Sequence, residues 1–255
     1  MEQLIRRGAE ILARSRFLVV FTGSGVSKES GIPTFREAQE GLWARYDPQQ
    51  LATLEGFMRD PNLVWEWYDH RFGLIEGLEP NPGHLAIAAL ERYVPRVVVI
   101  TQNIDNLHQD AGSSDVIELH GNMRRYKCLG GHTGFTRADF AAQTEHPPRC
   151  PRCRAMLRPD VVWFGEMLPP EPLERAFAES AACDAMLVVG TSGLVQPAAS
   201  LPMYARRAGS PIIEVNPNRS DITWMADIFL PGPAGQVLPK LVDALAVISG
   251  VVSRT

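Results

Sequence analysis

At 255 residues, with 45% hydrophobic and 21% charged side chains, the chain can bury one sizeable core plus a small inserted module. A formal net charge of −4 argues against a nucleic-acid binder that works through a broad basic surface, because counterion release needs clustered cations. No apolar run approaches the roughly 20 residues that span a bilayer, and the short FLVVF stretch lacks a cleavage signal, so a cytoplasmic protein without membrane or direct nucleic-acid partners is expected.

In chain order, residues 1–16 read as an amphipathic helix. Apolar, largely β-branched runs bounded by turn residues predict buried strands at 17–22, 96–101, 185–190, 211–215 and 227–230. Between and after them, helical patterns fall at 61–78, 84–93, 171–182, 198–208 and 236–248. Strands alternating with helices predict βαβ units and a doubly wound parallel sheet. Two stretches interrupt the alternation. Residues 31–52, with Trp43 and Tyr46, read as a long loop leading into short helices. Residues 126–159 are rich in Gly, Pro, Cys and Arg and read as an insertion that needs a metal or a disulfide to hold its shape.

Polar groups gather at the strand ends. In VVFTGSGVSKESGIPTFRE (19–37), a strand runs into Gly23-Ser24-Gly25, where glycines let backbone N–H groups approach a pyrophosphate. Lys28 stands where the third glycine of a dinucleotide fingerprint would be, so this match is weak by itself. Arg36 on the following loop either reaches a nucleotide or is simply solvated. In VVVITQNIDNLHQDAG (97–112), Gln102, Asn103 and Asp105 follow a buried strand; one of them could cap the next helix, but capping needs only one. His120 closes VIELHGN (116–122), and a lone histidine is more often structural than catalytic. VVGTSG (188–193) and VNPN (215–218) add small hydroxyl and amide groups that either hold ribose and adenine or form ordinary turns.

Helix 61–78 carries an apolar stripe through Val64, Trp67/Tyr68, position 71, Leu74/Ile75 and Leu78. Position 71 is Arg71, a cation where a core residue is expected, with Tyr68 on the same face. A buried cation needs an anionic partner, either an internal carboxylate or a ligand. Among the cysteines, Cys150-x-x-Cys153 is half of a zinc site and Cys128 supplies a third ligand. His132 lies one position late for the usual spacing, and its place in the set stays open, as does a metal-free module of buried cysteines. Cys183 reads as a packed core residue.

GSGVSKESGIPTFR, TQNID, HG, the cysteine module, VVWFGE, GTS and VNPN occur in that order, and together they resemble the sirtuin family of NAD-dependent protein lysine deacylases from Phe17 to about Leu241. Ser24 and Lys28 depart from the family's loop pattern. The resemblance implies a Rossmann-like large domain (1–30, 80–122 and 160–255) with a small zinc-ribbon-like domain (31–79 and 123–159) in one catalytic unit. It implies that Gly23, Ser24, Gly25, Thr34, Phe35, Arg36 and Trp43 line the NAD loop, with Gln102, Asn103, Ile104 and Asp105 around the nicotinamide and its ribose. Gly190, Thr191 and Ser192, then Asn216, Pro217, Asn218 and Ala234, would hold the adenosine half. His120 would be the catalytic base, aided by Asn103 and Asp105, and structural zinc would sit on the cysteines.

Acyl-lysine proteins are the implied substrates, with Val162, Phe164, Gly165 and Glu166 pairing with the peptide as an added strand. The acyl oxygen would attack the ribose carbon as nicotinamide leaves, and His120 would take a ribose hydroxyl proton, giving O-acyl-ADP-ribose and free lysine. WYDHR resembles the Tyr-x-x-Arg pair of the class that removes malonyl and succinyl groups, so Tyr68 and Arg71 are expected to bind an acyl carboxylate, with acetyl also accepted. Rival readings are a protein ADP-ribosyltransferase and a catalytically weak NAD-sensing module. A monomer is the favoured assembly.

Overall fold

The computed structural model describes residues 1–33 and 48–250. After helix α1 (Glu2–Arg14), strand β1 (Phe17–Thr22) enters the fold; helices α2 (Pro48–Leu51), α3 (Leu54–Arg59), α4 (Pro61–Ile75) and α5 (Pro82–Ala89) lead to β2 (Arg96–Thr101). A single turn, α6 (Leu107–Asp110), precedes β3 (Val116–Glu118), β4 (Gly121–Cys128) and β5 (Leu157–Val161). The chain closes with α7 (Pro170–Ala182), β6 (Ala185–Val189), α8 (Leu201–Arg207), β7 (Ile212–Asn216), β8 (Ile228–Pro231) and α9 (Ala234–Ile248).

Six strands form one parallel sheet in the order β3-β2-β1-β6-β7-β8, and β4 pairs antiparallel with β5 in a separate ribbon. Leaving the ribbon aside, this is the dinucleotide-binding order, in which strand order reverses between β1 and β6. Side chains alternate across the sheet, as a period of two requires. Leu18, Val20, Val97, Val99, Leu187 and Val189 face one layer, with Ala9 and Leu12 of α1, Ile87 of α5 and Leu241 and Leu245 of α9. Val19, Phe21, Val98, Ile100, Met186 and Val188 face the other, with Ala176 of α7 and Leu201 and Ala205 of α8. Both faces are covered, so the strands read as continuous apolar runs. Cys183 belongs to the second layer, and burial pushes its thiol up to about 11, which fits an inert core residue.

The five predicted sheet strands match the observed ones to within one residue at each end. Helix α4 is shorter than its apolar pattern suggests. It ends at Ile75, Gly77 follows in the left-handed region (φ +87°), and Leu74 is 55% exposed. The stripe holds at Val64, Trp67, Tyr68 and Ile75, which pack with Phe57, Met123 and Trp163, while Trp65 turns to a second cluster with Tyr126, Phe135 and Phe140. Position 71 sits at the margin of the stripe, and Arg71 is half-buried rather than in the core. Among the described residues, no helix is long and apolar enough to cross a membrane.

Candidate active site

Two glycine backbones meet at the carboxyl ends of β1 and β6. The Gly23 N–H donates to the Val189 carbonyl at 3.1 Å, and the Gly25 N–H to the Gly190 carbonyl at 2.8 Å. A Cβ on Gly25 would stand 2.7 Å from the Gly190 oxygen, and one on Gly190 only 2.4 Å from the Val26 nitrogen. The loop Gly23-Ser24-Gly25 therefore lies flush on the sheet's crevice without side chains between the two segments. A backbone cradle of this kind accepts a pyrophosphate, so the residues present fit a dinucleotide.

Beneath the cradle runs a polar network. The Ser27 hydroxyl donates to Asp105 Oδ2 at 2.7 Å and accepts from Asn103 Nδ2 at 2.9 Å. Asn103 Nδ2 also reaches the Gly23 carbonyl at 3.2 Å, joining the β2 end to the loop. His84 Nε2 lies 3.3 Å from the Ser27 hydroxyl; because its Nδ1 faces the Asn81 N–H at 3.4 Å, Nε2 carries the hydrogen. Asp105 Oδ1 accepts from the Leu107 N–H at 3.0 Å, so one carboxylate oxygen satisfies the first N–H of the α6 turn, whose N-cap is Asn106, while the other serves the network. Burial raises the Asp105 pKa, opposed by these hydrogen bonds.

His120 stands beside this network, half-buried. Its Nδ1 is 2.9 Å from the Gln102 carbonyl, which can only accept, so Nδ1 holds the hydrogen and Nε2 keeps its lone pair. Burial lowers the His120 pKa, with the Gln102 bond working the other way; the ring is neutral near pH 7. Gln102 Nε2 donates to Thr191 Oγ1 at 3.0 Å, and Asn216 Nδ2 to the Thr191 carbonyl at 2.8 Å, tying the ends of β2, β6 and β7 together. Ser192, Pro217 and Asn218 are exposed beyond them, and buried Ala234 opens α9. Thr34, Phe35, Arg36 and Trp43 lie outside the described residues.

Ser27, Asn81 and His84 escape the sequence reading, which starts the helix at His84. The legible signal is Asn81-Pro82-Gly83-His84, a capping box whose histidine is free to turn inward. His108 is a second miss. It is buried 5.0 Å from His84, with Nε2 at 2.9 Å from the Thr22 hydroxyl.

The segment after β5 holds its own N–H groups closely. Val162 N–H donates to the His120 carbonyl and Phe164 N–H to the Ala52 carbonyl, both at 2.9 Å, while Glu166 N–H donates to the Trp163 carbonyl at 3.0 Å. Phe164 and Gly165 are exposed. Tyr68 is buried below this segment, and Arg71 lies with its guanidinium carbon 5.8 Å from the Tyr68 ring centroid. Among the described residues Arg71 has no carboxylate partner, and its guanidinium stands half-buried beside Tyr68.

In the ribbon module, Cys128, His132, Cys150 and Cys153 bring their ligand atoms within 4.8 Å of one another. His132, left open by its spacing, belongs to the cluster: its Nδ1 is 3.5 Å from Cys128 Sγ and 3.8 Å from Cys150 Sγ. Gly131, at φ +89°, absorbs the extra residue and turns His132 back so that its N–H meets Cys128 Sγ at 3.3 Å. Three thiolates and one imidazole around one point are a closed structural zinc set.

The Sir2 family model matches residues 23–197, and the chain belongs to that family. It is 49% identical over 243 residues to the NAD-dependent protein deacylase of Thermococcus kodakarensis, covering 93% of this chain and 94% of the relative. A Sir2 homolog solved as an NAD complex superposes with a TM-score of 0.86 at 44% identity, covering 94% of this chain and 93% of the other. Sir2Af2, solved with a myristoylated histone peptide, superposes with a TM-score of 0.78 at 40% identity, covering 99% of this chain and all of the other (100%).

Proposed function

We propose that the chain is an NAD-dependent protein lysine deacylase that yields nicotinamide, O-acyl-ADP-ribose and free lysine, and that prefers malonyl and succinyl over acetyl groups. The observation that carries the reaction class is His120, whose Nδ1 hydrogen is committed to the Gln102 carbonyl so that Nε2 is a base beside the Asn103–Ser27–Asp105 network. When bound, NAD supplies an activated ribose carbon and a nicotinamide leaving group. Gly23, Ser24, Gly25 and Gly190 to Ser192 hold its phosphates and adenosine half, with Asn216, Pro217, Asn218 and Ala234, and the family resemblance adds Thr34, Phe35, Arg36 and Trp43 to the NAD-binding set. Asn103, Ile104 and Asp105 orient the nicotinamide ribose, in a site dry enough for fixed dipoles to outweigh water. His120 Nε2 takes the ribose hydroxyl proton at neutral pH.

Acyl-lysine peptide lies along Val162, Phe164, Gly165 and Glu166. Since the N–H groups of Val162, Phe164 and Glu166 are already engaged, peptide pairing rests on the carbonyls and on Gly165. Tyr68 and Arg71 select the acyl chain: a half-buried guanidinium that has no carboxylate partner among the described residues is suited to an anionic ligand. Cys128, His132, Cys150 and Cys153 hold zinc, which cross-links the small module. The apolar clusters support a large unit of residues 1–30, 80–122 and 160–255 and a small one of 31–79 and 123–159, since the two sheet layers draw only on the former.

Mass spectrometry of one peptide bearing succinyl-, malonyl- or acetyl-lysine, with and without NAD, tests the reading. O-acyl-ADP-ribose with faster loss of the acidic groups supports it; an ADP-ribosylated peptide, or no consumption of NAD, overturns it. Arg71→Met is expected to cripple desuccinylation far more than deacetylation, and equal loss of both would count against acidic-acyl selection.

A further inference from the structure

The most tightly held side chain near the acyl pair is Trp163, which no step above uses. Arg158, 3% exposed, forms a two-point ion pair with Glu166 at 2.5 and 2.9 Å and donates to the Val161 carbonyl at 2.9 Å. Its guanidinium carbon lies 3.3 Å from the Trp163 ring centroid. Glu166 in turn accepts from the Trp163 N–H at 2.8 Å. Phe57 also packs against the indole, with centroids 5.3 Å apart. These contacts leave the indole one polar atom to place. Nε1 donates to the Tyr68 hydroxyl at 2.9 Å, inside the apolar cluster that Tyr68 and Trp163 share with Ile104.

A phenol has one hydrogen to give, and an indole can only donate. With the indole N–H on its oxygen, the Tyr68 hydroxyl must direct its own hydrogen away from Trp163, and no acceptor for it lies among the described residues. Burial raises the Tyr68 pKa, so the hydrogen is retained at neutral pH. Arg71 is the next residue on that helix face. A donor and a cation side by side match a carboxylate, which accepts from both, whereas the methyl group of an acetyl chain accepts from neither.

We infer that Trp163 is a specificity-positioning residue: its indole N–H fixes the Tyr68 hydroxyl as a donor to the carboxylate of an acidic acyl chain, and the Arg158–Glu166 pair fixes the indole. This rests on the acidic-acyl reading of Tyr68 and Arg71. It also separates a role in selectivity from a role in turnover, because neither Trp163 nor Arg158 touches the His120 network.

Trp163→Phe keeps an aromatic ring against Phe57 and Arg158 and removes the N–H. With succinyl-lysine peptide, KM is expected to rise roughly 3- to 10-fold, the weight of one hydrogen bond, with kcat little changed. With acetyl-lysine peptide both constants should stay within about twofold. In a Tyr68→Phe background the second change should add nothing, since the hydroxyl it positions is gone. Equal losses on both peptides, or full additivity with Tyr68→Phe, overturn the inference. Should Trp163→Phe fail to fold, benzothienylalanine at position 163 replaces only the N–H by sulfur at nearly constant volume and is read the same way. Arg71→Met run in parallel separates the two claims. If it abolishes the succinyl preference while loss of the indole N–H does not, this inference fails alone. If it leaves the preference intact, the acidic-acyl reading falls and this inference falls with it.

Discussion

The carboxyl edge of the sheet and the cysteine module both carry clusters of polar groups, yet they hold them in place by different means. At the edge, Ser27, Asn103, Asp105 and His84 bond to one another above strands whose two faces are covered by apolar layers. The scaffold there is independent of any single polar contact. The module has a far smaller core, Trp65, Tyr126, Phe135, Phe140 and Leu157 with two of its cysteines, and four ligand atoms stand where further apolar side chains would be needed. Polar groups on a large core can be spent on chemistry; polar groups in a small one hold the fold.

The sharpest way to break that contrast is at His120. His120→Ala should lower kcat/KM on acyl-lysine peptide by about 10²- to 10⁴-fold, the usual weight of a positioned base, and leave Tm nearly unchanged. A comparable fall in Tm would mean that the edge, too, uses its polar groups for stability. Metal removal probes the other side. Chelation, or Cys150→Ser, should melt the ribbon module and change the fluorescence of Trp65, which packs on Tyr126 with ring centroids 5.6 Å apart. NAD binding at the glycine cradle should weaken far less than peptide turnover. Simultaneous loss of both would show that the module is not a separate folding unit.

Acid sharpens the comparison next, because the buried histidines belong to the edge alone. Burial holds His84 at about 4 and His108 at about 3, against 6.5 for an unfolded histidine. As pH falls below 6.5 the unfolded chain takes up protons that the native state refuses, so their contribution is complete above that pH and is lost downward toward 4 and 3. For His84 this amounts to about 3 kcal/mol by pH 4. Urea titrations between pH 7 and 4 should show it, and His84→Asn should flatten the slope. An unchanged slope would mean that the His84 site is solvated.

Much of this was legible in the residue order, for reasons that also explain the failures. Of the six sheet strands, β1, β2, β6 and β7 are buried on both faces, so their apolar runs need no partner to be recognised, and the polar residues at their ends mark the crevice. His84 was not legible, because a capping histidine and a network histidine look alike until Ser27 is brought beneath it by the β1 turn. Leu74 misled for the opposite reason: periodicity extends a helix face beyond the point where Gly77 ends the helix and exposes the last turn. His132 depends on one backbone angle at Gly131, which spacing rules do not carry. The hydrogen bond between Trp163 and Tyr68 joins residues 95 positions apart and leaves no local trace.

The smallest predicted effect lies where the edge meets the rest of its own scaffold. Glu29, in the short turn after the glycine cradle, accepts from the Gly235 N–H at 2.6 Å, while Pro233, at the N-cap of α9, offers that helix no side-chain bond. A carboxylate at a helix N-terminus satisfies a free N–H and opposes the positive end of the dipole, but an exposed one is screened by water and salt. Glu29→Gln keeps an acceptor oxygen and removes the charge, so Tm should fall by roughly 1–3 °C at low salt and by less as salt rises. Chelator sensitivity of the cysteine module should not change, since Glu29 bonds to α9 and not to any of the four metal-ligand residues. If Glu29→Gln also raised KM for NAD several-fold with kcat unchanged, the turn would be holding the cradle in shape as well as capping the helix, and the edge would owe part of its geometry to a single exposed ion.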